Sequence, residues 1–354
     1  MLTPAAVDKA LQARLFALAN TAFGDSVACE RAEPLAGDAS TRSYARLWLR
    51  GPGAPATAIA MILADRGIAM SSDELAVFKE TPKQLPYVNV HHFLERLGLA
   101  IPRIYADQSE NGLLLLEDIG DTALWDQVQQ QPQQAGIWYR RAIDQLLTLQ
   151  IDGTRAADSS CIAFQQSFDE RLFVWEFEHF IEHGIEKRGI DLDPADAERM
   201  RAAFAVIARR LAEAPRFLNH RDYHSWNLHV QGDSIRVIDF QDALLAPATY
   251  DLATLLGDRD TPQIVTPELE RELVAYYHEQ WHRRGGPAVP FRELEAQYFD
   301  CAFQKALKVV GRFHFLATVK GKPGYLRFLP STIRQVQRLL PRYPQLADIL
   351  PRYL

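Results

Sequence analysis

The chain has 354 residues, 47% of them hydrophobic, with a formal net charge of −6 and a pI near 6.0. That is enough apolar material for a sizeable core in two lobes or domains, and the acidic balance gives no general attraction to nucleic acid or an anionic membrane. Three scattered cysteines, Cys29, Cys161 and Cys301, have neither metal-ligand spacing nor a disulfide framework and read as buried or incidental thiols. No basic region precedes an unbroken apolar run at the N-terminus, and no window approaches roughly 18 uncharged apolar residues. Neither a signal peptide nor a membrane span is therefore expected, and a cytoplasmic location is the default.

In chain order, Thr3 followed by Pro4 predicts a helix start, and Val7, Leu11, Leu15, Phe16 and Ala19 recur at helical spacing to about residue 23. Strands are predicted over 27–35, 43–49 and 57–63, the last after the Gly51-Pro52-Gly53 turn. A helix over 86–97 starts at Pro86 and stops at Gly98, and apolar runs at 101–105 and 113–116 read as two more strands. From 122 onward the pattern is helical, with helices near 122–130, 133–150, 168–187, 194–213, 249–257, 267–284, 291–318 and 324–340. The implied division is a small β-rich lobe over 1–118 and a large helical lobe over 119–354, an α+β arrangement.

The segment 219–242, NHRDYHSWNLHVQGDSIRVIDFQD, interrupts the helices with short strands. Asp222 is followed five residues later by Asn227, and an apolar run then ends in Asp239-Phe240. Phosphoryl transfer needs a carboxylate near the attacking hydroxyl and oxygen ligands for Mg²⁺ bridging the ATP phosphates. Asp222 fits the first role, and Asn227 and Asp239 fit the second. The plain alternative, turn residues around an ordinary loop histidine, His220, is outweighed by the apolar strands on both sides and the closing Asp-Phe. Between the first two strands, Gly37, Asp38, Ala39, Ser40, Thr41 and Arg42 form a turn whose N–H groups and hydroxyls suit phosphates. Alone it would be a hairpin loop, and no Walker loop occurs anywhere in the chain.

These motifs resemble the aminoglycoside phosphotransferase and choline kinase superfamily, relatives of protein kinases. The resemblance rests on HRDYHSWN at 220–227, VIDFQDALLAPATYDLATLL at 237–256, LLLLEDIGD at 113–121 and GDASTRSYAR at 37–46. FQKALKVVGRFHFLATVKGKPGYL at 303–326 is similar to the C-terminal segment of the bacterial anomeric kinases for N-acetylmuramate and N-acetylglucosamine used in cell-wall recycling. The resemblance implies a protein-kinase-like bilobal fold, ATP and Mg²⁺ as cofactors and a small amino sugar as acceptor, with no obligate protein partner. It makes Asp222 the catalytic base, Asn227 and Asp239 the metal ligands and 37–42 the phosphate loop. It also gives adenine the backbone carbonyl of Glu117 and the N–H of Ile119, and makes Asp251 the residue that fixes the catalytic loop.

One departure concerns the third strand, which reads TAIAMIL at 57–63 and lacks the lysine that kinases place there. Arg42, Arg46, Lys79 or Lys83 are the substitutes, and Glu95 has no assigned partner. The missing lysine keeps a nucleotide-binding pseudokinase as an alternative, while Asp-Phe-Gln at 239–241 speaks against a protein kinase. Kinases for an aminoglycoside, choline or ketoamine are the alternatives among enzymes. The helix 168–187 carries Glu176, Glu178, Glu182 and Glu186 beside Phe173, Trp175, Phe177 and Phe180. It reads first as a core face with a solvated acidic face, or else as part of the acceptor pocket. Tyr223, His224 and Trp226 either shape the acceptor site or pack beneath it.

Overall fold

The computed structural model describes residues 8–35, 42–63 and 84–354. Helix α1 (Lys9–Phe23) starts later than Thr3-Pro4 predicts, because Asp8 caps it: its carboxylate accepts the Leu11 N–H at 2.7 Å. Residues 1–7 lie outside the described residues. Strands β1 (Ala28–Leu35), β2 (Arg42–Arg50) and β3 (Thr57–Leu63) follow, then α2 (Pro86–Leu97), β4 (Ile104–Gln108) and β5 (Leu113–Glu117). The five strands form one antiparallel sheet in the order β1-β2-β3-β5-β4. β4 begins three residues later than the apolar run at 101–105 suggests. Pro102 has no N–H for a ladder, and its carbonyl is instead bound by His91 Nε2 at 2.8 Å.

Strand alternation gives the sheet two different faces. Ala45, Leu47 and Leu49 of β2 pack with Leu15 and Leu18 of α1 in a small separate core. Arg42, Tyr44, Arg46 and Trp48 occupy the opposite face, from which Tyr44 meets the main core of the molecule.

The remainder is mostly helical: α3 (Leu124–Gln130), α4 (Ala135–Leu147), the single turn α5 (Gly153–Arg155), α6 (Glu170–His179) and α7 (Pro194–Glu213). Four short strands come next, β6 (Arg216–Asn219), β7 (Leu228–Gln231), β8 (Ser234–Val237) and β9 (Leu244–Pro247), then α8 (Thr249–Gly257), α9 (Pro267–Arg283), α10 (Phe291–Thr318) and α11 (Leu329–Leu339). β6 pairs with β9 and β7 with β8, both antiparallel. Two predicted helices do not stay α-helical to their ends: α4 runs into a π-helical turn at Thr148–Asp152 and α6 into another at Phe180–Ile185. The second has a visible cause, since α10 crosses there backbone to backbone. A Cβ on Gly311 would stand 2.7 Å from the His179 carbonyl oxygen and 2.8 Å from Phe180 Cα. Among the described residues, no helix is long and apolar enough to cross a membrane.

Candidate active site

Strand β6 delivers the chain to a loop over 220–227 whose backbone is held from below. Asp251 of α8 is fully buried, and its carboxylate accepts the N–H groups of His220 and Arg221 at 2.5 and 3.0 Å. Burial pushes the Asp251 carboxyl up to about 6, against the opposing pull of His220 and Lys305. Arg221 takes a left-handed φ of 80°, which turns the chain sharply ahead of Asp222. His220 donates from Nε2 to the Ile238 carbonyl at 2.8 Å and so ties the loop to the segment entering Asp239. Tyr223 is buried beneath the loop with its hydroxyl on the Ala142 carbonyl at 2.9 Å, so it packs rather than lining an acceptor site.

Asn227 and Asp239 are brought together by the β7–β8 hairpin. The Ile238 N–H donates to the Asn227 carbonyl at 3.0 Å, one residue before Asp239, which adopts φ 64° and is exposed. Asn227 spends its Nδ2 on the Asp222 carbonyl at 2.9 Å, and its Oδ1 makes no hydrogen bond to a described residue. The surrounding protein, with Asp242 and Asp222 nearby, pushes the Asp239 carboxyl up, opposed by a hydrogen bond from Gln241 at 2.8 Å. A free amide oxygen beside a carboxylate crowded by like charges suits a hard divalent cation that completes its shell with phosphates and water. Among the described residues, no group of three or more His, Cys, Asp or Glu could hold a metal, and a two-ligand site of this type does not need one.

The Asp222 side chain is 45% open to solvent, and its Oδ1 lies 3.5 Å from Lys305 Nζ of α10. The buried ammonium also donates to the Arg221 carbonyl at 3.1 Å and reaches the Tyr250 hydroxyl at 3.4 Å. Partial burial raises the Asp222 carboxyl, but Lys305, Lys308, Arg221 and His224 together outweigh it and hold it well below the usual carboxylate range. One turn along α10, Lys308 pairs with Glu176 of α6 at 2.5 Å, and Gln304 donates to the same carboxylate at 2.6 Å. Glu176 is fully buried, which removes this one residue from the expected solvated acidic face. Of its neighbours, Glu182 and Glu186 are exposed, while Glu178 pairs with Arg201 at 2.9 Å. Neither lysine was singled out from sequence, although two lysines at i, i+3 inside the apolar stretch 302–310 offered a signal.

On the other side of the cleft, residues 37–41 of the expected phosphate loop lie outside the described residues, as do Lys79 and Lys83. Arg42 is described: it hydrogen-bonds the Tyr44 hydroxyl, whose charge environment also includes Asp239. Arg46 is committed elsewhere, forking onto Asp118 at 2.7 Å and Asp121 at 2.7 Å, and Glu95 is exposed on α2. In the connecting hinge, the Glu117 carboxylate is taken by Arg236 at 2.5 Å and the Arg103 N–H at 3.1 Å. Ile119 is buried, and its N–H makes no backbone hydrogen bond to a described residue.

Residues 31–287 match the phosphotransferase enzyme family (APH). The N-acetylmuramate/N-acetylglucosamine kinase of Pseudomonas aeruginosa is 30% identical over 269 residues, covering 75% of each chain. The Caulobacter vibrioides protein of the same name is 30% identical over 335 residues, 88% of this chain and 87% of its own. Among solved structures, a choline kinase from Cryptosporidium parvum superposes with a TM-score of 0.62 at 12% identity, over 95% of this chain and 96% of the other, and shares the fold. With a family match over most of its length and relatives 30% identical across three quarters or more of the chain, the chain belongs to the phosphotransferase enzyme family.

Proposed function

We propose that this phosphotransferase is an ATP-dependent kinase that phosphorylates the anomeric hydroxyl of N-acetylmuramate or N-acetylglucosamine. The observation that carries the reading is the match, across three quarters or more of the chain, to relatives bearing that name at 30% identity. The geometry of 220–239 supports it by offering an ionised, half-open carboxylate beside two metal-competent oxygens.

In this reading Asp222 receives the acceptor hydroxyl. A carboxylate held this far below its ordinary range is a weak base, so its main work is to orient the hydroxyl and take its proton late, as a loose transition state allows. Lys305 keeps Asp222 ionised and turned, and its bond to the Arg221 carbonyl fixes the loop beneath it. Asn227 and Asp239 would hold Mg²⁺, which supplies charge neutralisation for the ATP phosphates. Arg42 is the cation we assign to the phosphates in place of the absent strand lysine, because Arg46 is spent on Asp118 and Asp121. The loop 37–42 would cover the phosphates, and the Glu117 carbonyl and Ile119 N–H would receive adenine between lobes 1–118 and 119–354.

The test is an acceptor screen with ATP, Mg²⁺ and coupled detection of ADP, comparing amino sugars with choline and an aminoglycoside. Turnover is expected on the amino sugars. Robust turnover confined to choline or the aminoglycoside would refute the substrate assignment.

A further inference from the structure

Three described non-glycine residues have positive φ: Arg221 at 80°, Asp239 at 64° and Arg259 at 50°. The first two belong to the phosphoryl-transfer segment. Arg259, two residues beyond the end of α8, has no place in that chemistry, yet it bears the same kind of backbone cost.

Its side chain is built into the same floor. The guanidinium lies 4.8 Å over the ring of Trp226 and 5.9 Å from that of Phe328. Trp226 stands in the catalytic loop between Asp222 and Asn227, stacked on Trp125 at 4.9 Å and edge-on to His224 at 5.9 Å. Burial lowers His224 well below its ordinary value, and Arg259 is the strongest charge adding to that effect, so the guanidinium is close to the loop. Asp258, its chain neighbour, is buried within the field of Lys305, Asp222 and Lys308.

Among the described residues, this guanidinium makes few polar contacts. Only 16% of the side chain is exposed, yet it makes no hydrogen bond to a described residue, and its one ion pair is a 3.3 Å approach to Asp258 Oδ2. A guanidinium whose nitrogens are not sealed from solvent keeps its planar fork available, and the group that best satisfies the fork is a carboxylate taken in bidentate fashion. The two sugars in the relatives' names differ in this respect: N-acetylmuramate carries a lactyl ether ending in a carboxylate, and N-acetylglucosamine does not.

We infer that Arg259, set against the ring of Trp226, binds the carboxylate of an anionic acceptor sugar and gives the site its preference for N-acetylmuramate. This rests on the sugar-kinase reading above. The contact with the Trp226 ring restricts the guanidinium before the ligand arrives, so less rotamer entropy is lost on binding. Asp258 supplies the placeholder charge that the substrate displaces.

The experiment compares Arg259→Gln and Arg259→Lys with wild type, measuring kcat and KM for both sugars and KM for ATP. For Arg259→Gln, the fall in kcat/KM should be roughly 10–100-fold greater for N-acetylmuramate than for N-acetylglucosamine, the usual scale for one charged recognition contact. The excess should reside in KM for N-acetylmuramate, and Arg259→Lys should recover part of it. Equal losses on both sugars, a loss expressed in the KM for ATP, or no loss at all would overturn the inference while leaving the sugar-kinase reading intact. Wild-type protein that turns over neither sugar would remove that reading, and this inference with it.

Discussion

On the catalytic floor, Asp251 is sealed from water and spends both oxygens on backbone N–H groups, while Lys305, Lys308, Glu176 and Gln304 form a buried polar line up to Asp222. At the hinge, the same task of fixing the chain falls to arginine–carboxylate pairs, largely buried at Arg46–Asp118 and Arg236–Glu117 and open to water only at the Asp121 arm of the Arg46 fork. Asp121 in particular is 75% exposed. Buried hydrogen bonds to backbone are insensitive to salt and costly to break, whereas an ion pair with an exposed partner, such as Arg46–Asp121, is screened and individually weak. In the proposed reading, the loop carrying Asp222 is thereby held where Å-scale placement would matter, and the hinge would be the region to move if the lobes close over a nucleotide.

The largest expected effect is chemical. Asp222→Asn should lower kcat roughly 10²–10⁴-fold with nucleotide binding close to normal, as titration of ATP against the variant can check. An unchanged rate would remove Asp222 from the reaction. Next is Asp251→Ala, which orphans two buried N–H donors at about 1–3 kcal/mol each and should appear as a lower urea midpoint. Its pH dependence has a definite sign. Burial raises this carboxyl to about 6 in the folded protein, so the folded state holds its proton more tightly than the unfolded chain. The stability Asp251 lends is therefore complete below about pH 4, near the ordinary aspartate value, and declines as the pH rises through 6. The gap between wild type and Asp251→Ala should narrow over that window, and a gap that widens would contradict the assignment.

Lys305→Met should reduce kcat by up to roughly 10²-fold, the cost of a misplaced catalytic carboxylate, with KM for ATP little altered. A loss of thermal stability without any change in kcat would make Lys305 structural only. The smallest effect belongs to the hinge. Asp121→Ala, which removes the exposed arm of the Arg46 fork, should cost no more than about 1 kcal/mol, diminishing as salt is raised, and a salt-independent loss would dissolve the contrast between the two regions.

The segment 219–242 was legible from sequence because its chemistry is contiguous: the carboxylate, the amide and the second carboxylate sit on one loop and one hairpin, bracketed by apolar strands. The sheet and most helices were legible for the same local reason, periodicity. The support for Asp222 was not. Glu176 and Gln304 are 128 residues apart and meet only because Gly311 lets α10 touch the turn after α6. Read alone, Glu176 belongs to an acidic face, since nothing within its own helix shows that a lysine from α10 will cover it. Arg46 was one of several possible phosphate cations until Asp118 and Asp121, more than 70 residues away, claimed its fork. The left-handed backbone of Arg259 left no trace in the residue type.

The most direct test of the proposed activity is ³¹P NMR of the product formed from N-acetylmuramate, ATP and Mg²⁺, with proton coupling recorded. A sugar 1-phosphate, its phosphorus coupled to the single anomeric proton, is the expected result. A 6-phosphate, its phosphorus coupled to the two C6 methylene protons, would contradict the anomeric assignment.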